Sequence, residues 1–561
     1  MKPDQVTLQI ISNSLLYTSE EMGLALRNSA YSPNIKERMD HSAAVFDSFG
    51  RLLAQAEHIP VHLGSLPWGL KNLIDYCARE RIEPEEGSMV VANDPYVTGT
   101  HLNDVTVAAP IHHRGTLVAF VVNKAHHSDV GGAVPGSISM GSRTLFDEGH
   151  ILEPSILWRK GGFAESVVEE FASASRTPAE RRGDLKAQVA ANISGVRRLK
   201  DLIGKYGLDA FELAAVHSFH HSESLTIDRL SKFRAGTYEA SDYLEGPGGE
   251  DLELHAKVSV TPSGVDVDYA GTAAEVDYPL NAVFGVTISG VYFVLRSLLG
   301  DDIPANDGAF APVSIRSPSG TVLNPTPPHP VGGGNVETSQ RNADVIFRAL
   351  STAAQGKVPA AAGGSMNNVM IGGRIGGTPW AFYETIGVGL GGSSKKDGVD
   401  GIQANMTNTM NTPIEEIERT IPIRMVAYEF RPDSSGAGRQ RGGSGLVRAY
   451  QSLADGTTFT VLAERERHRP WGIEGGGNGG GTEVYVVREG VRTRVPSKST
   501  LALDSGDIIE IRTAGGGGYG APAARSWPMV RNDIENGLLS AEKASLDYPL
   551  GSKSSRRQAR R

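Results

Sequence analysis

The sequence predicts an α+β chain: a multi-subdomain mixed fold with antiparallel sheets, helical segments and a C-terminal β-rich domain. Three observations carry this. The 561 residues exceed one hydrophobic core, and at roughly 100–200 residues per domain they suggest about three to four subdomains. Strand-like runs sit next to each other with turn residues between them, as in hairpins, and do not alternate with helices as in a parallel α/β sheet. From Tyr428 to Ala521 nearly every segment reads as a short strand bounded by glycines, which points to a sandwich or barrel-like unit.

Pro3 to about Asn28 is expected to be a helix, because Val6, Ile10, Leu15, Leu16, Met22 and Leu26 recur at helical spacing. SAAVFDSFGRLLAQ reads as a hairpin turning at Ser48–Gly50. SMVVAN, DVTVAAPI and TLVAFVVNKA read as strands, the last two joined by a turn at His113–Gly115. Pro178 to about Ser231 is charged and helical, and a hairpin follows around Pro262–Gly264. Residues 282–300 and Ser339–Ala354 are helices, and a short helix near Met529–Ala544 closes the chain. The predicted units are 1–235, carrying the candidate metal site; 236–425, with Gly-rich loops; 426–525, β-rich; and 526–561, a short helix and a basic tail from Lys553 to Arg561.

Composition excludes several function classes. The net charge of −9 is the wrong sign for a nucleic-acid footprint. The single cysteine, Cys77, permits no internal disulfide and no multi-cysteine cluster; it reads as a buried thiol in a reducing cytoplasm. Ala282–Leu295 is too short to span a bilayer, and MKPDQVTLQI has no signal-peptide core. Glycine is over-represented: 67 residues, about 12% of the chain against a usual 7%. Many turns and close backbone approaches are therefore expected.

The chemistry concentrates in NDPYVTGTHLNDVTVAAPI (93–111) and NKAHHSDVGGAVPG (123–136). His101 and Asp104 precede one strand, and His126 and His127 end the next. An antiparallel pair turning at His113–Gly115 brings those ends side by side. Mixed nitrogen and oxygen donors suit zinc first, with manganese or iron as alternatives. On spacing alone, the reading of these residues as turn formers and caps stays open. VGGGNVETSQR (331–341) precedes a helix and is suited to cradling an anion, but has no P-loop lysine. Tight turns are the default reading of it and of TAGGGGYG (513–520). RERHRPWG (465–472) reads as a solvated loop packed by Trp471, with a surface for an anion or a partner as the alternative.

VANDPYVTGTHLNDVTVAAPI, AHHSDVGGAVPGS, GGGNVETSQRNADV, NMTNTMNTPIEEIE, YEFRPDSSGAGRQRGG, RPWGIEGG and TAGGGGYG together resemble the hydantoinase B/oxoprolinase family. That family holds B subunits of ATP-dependent hydantoinases, the C-terminal half of 5-oxoprolinase, a caprolactamase subunit and subunits of acetone-type carboxylases. The resemblance implies that His101, Asp104 and His126 are metal ligands and that Asp40, in ERMDHS, is a carboxylate ligand or base beside them. It makes His127 and Asp129 candidates for orienting a ligand or a water, with Asp129 also a possible base. Apart from the resemblance, Asn335, Glu337 and Arg341 of the 331–341 run stay candidate substrate or phosphate contacts. The resemblance further implies a heterotetramer or larger assembly with a hydantoinase A/oxoprolinase-type ATPase subunit that binds ATP, and a small cyclic amide as substrate, opened by hydrolysis. A ketone carboxylase subunit and a non-catalytic scaffold are the alternatives. One departure is evident: QANMTN (403–408) stands where the family often has HTHMTN.

Overall fold

The structure is a computed structural model that describes residues 4–56 and 58–548. The basic tail lies outside the described residues.

The N-terminal third is organised by a seven-stranded antiparallel sheet. Its strands are β1 (His41–Asp47), β2 (Leu52–Ala56), β3 (Met89–Ala92), β4 (Asp104–His113), β5 (Thr116–His126), β6 (Ser155–Arg159) and β7 (Gly162–Phe163), in the order β2-β1-β5-β4-β3-β6-β7. The central strands are apolar throughout because both faces are covered. On one face the helices Gln5–Ser29 and Pro178–Tyr206 pack Ile11, Leu15, Met22, Leu185 and Val189 against Val45, Val107 and Val121. On the other, helix His62–Arg79 packs Leu66, Leu70, Leu73 and Cys77 against Phe46, Phe120 and Val122. Cys77 is thus a core residue, and burial raises its thiol pKa. The first helix is held at its start by the Asp4 carboxylate, which accepts from the Thr7 N–H at 2.7 Å. The β4–β5 hairpin turns through Arg114 and Gly115, both at positive φ (52° and 83°), as a two-residue hairpin requires.

The predicted helical stretch 178–231 is two helices, Pro178–Tyr206 and Leu208–Leu230, broken at Gly207. The strands β8 (Gly236–Glu245), β9 (Asp251–Thr261), β10 (Gly264–Asp268) and β11 (Val313–Arg316) form a four-stranded sheet. Helices Phe284–Leu299 and Ser339–Leu350 follow the two apolar stripes expected there. No helix among the described residues is long and apolar enough to cross a membrane.

The C-terminal β region is built differently from its predicted limits. The strands are β12 (Asn368–Ile375), β13 (Thr378–Glu384), β14 (Ile423–Phe430), β15 (Leu446–Ser452), β16 (Thr457–Leu462), β17 (Glu483–Arg488), β18 (Val491–Val495), β19 (Lys498–Leu503) and β20 (Ile508–Arg512). They form one sheet of order β13-β12-β16-β19 and another of order β14-β15-β20-β17-β18, whose apolar faces share one core. Pairing of β12 with β16 crosses the boundary expected at 425, and that boundary falls inside β14. Two short helices, Trp527–Glu535 and Ala541–Asp547, stand where one was expected.

The TAGGGGYG run is not a tight turn. Its backbone threads between other glycine-rich segments: Gly516 N–H donates to Gly443 O (2.9 Å), Gly517 N–H to Ala361 O (2.8 Å) and Gly518 N–H to Gly477 O (2.9 Å). A Cβ on Gly516 would stand 1.9 Å from the Leu390 carbonyl oxygen. Backbone packed on backbone leaves nothing flexible to move aside. Gly516→Ala is therefore expected to destabilise the chain by about 3 kcal/mol or more, read as a lower urea midpoint or loss of soluble protein. An unchanged midpoint would show that the packing can relax.

Candidate metal centre

The hairpin register sets the site. Asp104, at the start of β4, pairs directly with His126, at the end of β5. On the other side of β5, His41 pairs with Ala125, and the His126 N–H donates to the Asp40 carbonyl at 3.0 Å. Three neighbouring strands therefore bring Asp40, His126 and Asp104 to one end of the sheet. The turn before β4 adds His101.

His101 Nε2, His126 Nδ1 and Asp104 Oδ1 form a nearly equilateral triangle, with separations of 3.0 Å between the nitrogens and 3.1 and 3.2 Å to the oxygen. All three residues are buried. The other ring nitrogen of His101 faces the Gly332 carbonyl at 3.1 Å. A proton at that nitrogen leaves the Nε2 lone pair pointing into the triangle. Donors bound to an ion at about 2.1 Å stand about 3.0–3.4 Å apart, depending on coordination number. The residues present fit a divalent ion, because three lone-pair atoms at this separation repel unless a cation or protons lie between them. Burial opposes charge on His101, but adjacent Asp104 outweighs it and raises the imidazole pKa. Burial also opposes the Asp104 carboxylate, yet His101, His126 and His62 hold its pKa well below the usual range. Burial lowers the His126 pKa.

His62 had no visible signal in the sequence. It sits at the first turn of helix His62–Arg79, with Nε2 3.3 Å from Asp104 Oδ2 and Nδ1 2.9 Å from the Ser42 hydroxyl. Asn335 Nδ2 lies 3.4 Å from the same Asp104 oxygen. Asp104 is therefore held on both oxygens. Asp40 accepts from Asn34 Nδ2 at 3.3 Å through Oδ2. Its other oxygen has no hydrogen bond among the described residues. Asn34 also bonds the His126 carbonyl (2.8 Å) and is itself held by Arg38, which lies over the Tyr383 ring. Tyr383 stacks on His126, with ring centroids 4.6 Å apart.

Several sequence candidates fall elsewhere. Successive strand residues point to opposite faces, so His127 turns away from His126, meeting Gln188 Oε1 at 3.0 Å and the edge of Phe171. Asp129 closes its own loop, accepting from the backbone of Gly131, Gly136 and Arg176 and from the side chains of Ser175 and Arg176. With its lone pairs taken it is not placed as a base. Arg341 is fully buried among Asp242, Asp344 and Glu464, paired with the protein and not open to a substrate. Glu337 accepts from Asn368 Nδ2 at 2.8 Å, and Asn368 accepts from the Tyr383 hydroxyl at 2.9 Å. It therefore lies behind Tyr383, and burial pushes its carboxyl pKa well up.

The Gly-rich loop at 331 does hold a carboxyl group, but it is the protein's own. The Val331 and Gly332 N–H groups donate to the Glu148 carboxylate at 3.0 and 2.7 Å, and burial raises the Glu148 pKa to about 7. Gly332 then presents its carbonyl to His101. In the 465–472 segment, the solvated-loop reading fails at Arg465, which is buried and paired with Asp344 and Asp242. QANMTN packs beside the Arg38 layer: Gln403 Nε2 donates to Thr385 Oγ1 at 2.9 Å, and that hydroxyl also accepts from Arg38.

Fold and site together define an α+β protein with an enclosed His–Asp–His donor cluster at the end of an antiparallel sheet. Comparison with known proteins places it further. The sequence profile of the hydantoinase B/oxoprolinase family matches residues 4–522, and the chain belongs to that family. It is 46% identical over 547 residues to an uncharacterized protein of Methanocaldococcus jannaschii, covering 98% of this chain and 96% of that one. It is 35% identical to 5-oxoprolinase 1 of Arabidopsis thaliana, matching 92% of this chain but 42% of that longer protein. To a putative D-/L-hydantoinase B-type subunit of a Pseudomonas species it is 31% identical, over 98% and 95% of the two chains. The crystal structure of an ATP-dependent caprolactamase from Pseudomonas jessenii superposes with a TM-score of 0.91 at 27% identity, covering 99% of this chain and 98% of that one.

Proposed function

We propose that this chain is the metal-dependent ring-opening subunit of an ATP-dependent cyclic amidase. The observation that carries the reading is the convergence of His101, Asp104 and His126 on one point, in a chain whose family is named for hydantoin and oxoproline ring opening. His101, Asp104 and His126, with Asp40 beside them, would hold a divalent ion, zinc by donor type and manganese or iron as alternatives. When bound, such an ion supplies Lewis-acid chemistry at a carbonyl or phosphoryl oxygen and acidifies water.

The chain's own groups do the rest. His126 Nε2 and Asn335 Oδ1 are buried without protein partners and suit the carbonyl and N–H of a cyclic amide. The unbonded oxygen of Asp40 is available to take a proton from attacking water and return it to the ring nitrogen as the C–N bond breaks. An amide carbonyl resists attack because of its resonance, and phosphorylation on its oxygen by ATP would remove that resistance; C–N cleavage then leaves an acyl phosphate, which a second water splits into the carboxylate and inorganic phosphate. The phosphorylation is assigned to a separate hydantoinase A-type ATPase subunit. Two features of the relatives support such a division: the hydantoinase relative is one subunit of its enzyme, and the oxoprolinase carries a long further stretch of chain beyond the part matched here. The test is to purify the chain with that partner and follow ring opening of hydantoin, 5-oxoproline and a lactam with ATP. Carboxylated product appearing only with bicarbonate, without ring opening, would overturn the reading.

His62 acts through Asp104. His62→Ala is expected to weaken metal binding about 10- to 100-fold, measured by competition with a chelator, while circular dichroism stays unchanged. Unaltered affinity would remove His62 from the site.

A further inference from the structure

A second place in the molecule carries unmet polar chemistry. Gln55, on the edge strand β2, is 1% exposed, and neither Nε2 nor Oε1 has a hydrogen-bond partner among the described residues. Buried amides are almost always bonded, because an unmade donor and acceptor both lose their water and gain nothing. Gln55 lines two adjoining cavities of about 260 and 230 Å³, which also share Arg296 and Asp301. The larger lies between helices Gln5–Ser29 and Leu208–Leu230 and the loop through Ala305. His217 and His221, one turn apart on the second helix, line it with near-parallel rings (9° between planes). None of the residues lining either cavity belongs to the donor cluster.

We propose that this cavity is a second small-molecule site, for a planar ring carrying an N–H beside a carbonyl: a cyclic amide or ureide. The Gln55 amide offers one donor and one acceptor in a plane, and a cis-amide edge returns one acceptor and one donor in the same plane. A few-atom ring fits 260 Å³, and displacing the several waters that space would hold, at about 30 Å³ each, favours a ligand that restores the hydrogen bonds of Gln55. The exposed His217 and His221 rings border the cavity mouth and offer aromatic contact to such a ring. The inference goes beyond the ring-opening reading and does not depend on it, since it concerns binding at a place separate from the donor cluster.

The test measures binding, not turnover. Hydantoin is titrated calorimetrically into the full chain carrying His101→Ala, which removes a metal donor; any binding left at the donor cluster is told apart by its indifference to substitutions at Gln55 and Ala305. Saturable binding is expected in the millimolar range or tighter. Gln55→Leu added to that chain should weaken it at least about tenfold, since two buried hydrogen bonds are lost. 1,3-Dimethylhydantoin, which has no N–H, should bind at least about tenfold more weakly than hydantoin. Ala305→Phe, which fills the cavity from the loop, should reproduce the loss if the Gln55 variant does not fold. No saturable binding, equal affinity for the dimethylated ring, or affinity unchanged by the substitutions would overturn the proposal. Loss of ring opening in His101→Ala with binding retained would leave this site standing and bear only on the donor cluster.

Discussion

If the proposed function holds, His101→Ala, purified with the proposed ATPase subunit, is expected to lose bound metal and ATP-coupled ring opening together, the activity by at least about 10³-fold. The argument is geometric. His101 supplies one of three donor atoms standing 3.0–3.2 Å apart, and its other nitrogen is fixed by the Gly332 carbonyl. No other imidazole replaces it, because the nearest, His62, reaches the opposite oxygen of Asp104. The informative control is one residue along from His126. His127→Ala removes an equally buried ring that faces Gln188 and Phe171, so it should keep full metal stoichiometry while lowering thermal stability. Elemental analysis of both proteins reads the contrast directly. Ring opening that survives in metal-free His101→Ala protein would sink the assigned role of the centre.

That contrast also shows where sequence reading reaches its limit. The strands β4 and β5 and their turn were legible from apolar runs around His113–Gly115, and so was the meeting of Asp104 with His126, because hairpin register follows from the turn. His126 and His127 were both attractive as letters. Only strand alternation, known once the register is seen, separates a donor from a packing residue. His62 was invisible because it comes from the start of a helix distant in sequence, and a lone histidine in HIPVHLG carries no pattern. The glycine runs misled in the opposite direction. Their spacing resembles turns, yet TAGGGGYG serves close backbone packing, and VGGGN serves to hold Glu148 and to present a carbonyl to His101. In both, the partner segments lie dozens of residues or more away. Strand pairing across residue 425 was hidden for a related reason: β12 and β16 are separated in sequence by the segment that forms β14.

Arg341→Met is expected to destabilise the chain strongly, by about 3–5 kcal/mol. Arg341 is fully buried, with nitrogens 3.3 Å from Glu464, 3.4 Å from Asp344 and 3.8 Å from Asp242. Arg465 contacts Asp344 and Asp242, and Lys498 pairs with Glu464 at 2.8 Å. The cluster therefore ties β8, the helix Ser339–Leu350, the segment after β16 and β19 to one another. Removing one guanidinium leaves buried carboxylates short of positive charge. Burial first, with Asp242 adding, already raises the Asp344 pKa to about 7 against the opposing pull of Arg341, and without Arg341 it rises further. A carboxyl whose folded pKa exceeds its unfolded value of about 3.9 stabilises below that unfolded value, and this contribution is lost as pH rises through the folded pKa. The deficit of the variant against the parent should therefore be largest near pH 8 and smaller near about pH 5.5, where Asp344 is protonated in both proteins. Adding Asp344→Leu should return part of the loss at the higher pH, because the uncompensated charge goes with it. Urea midpoints of the three proteins at the two pH values decide the matter. A deficit that does not change with pH would mean that lost packing of the arginine stem, and not stranded charge, accounts for the damage.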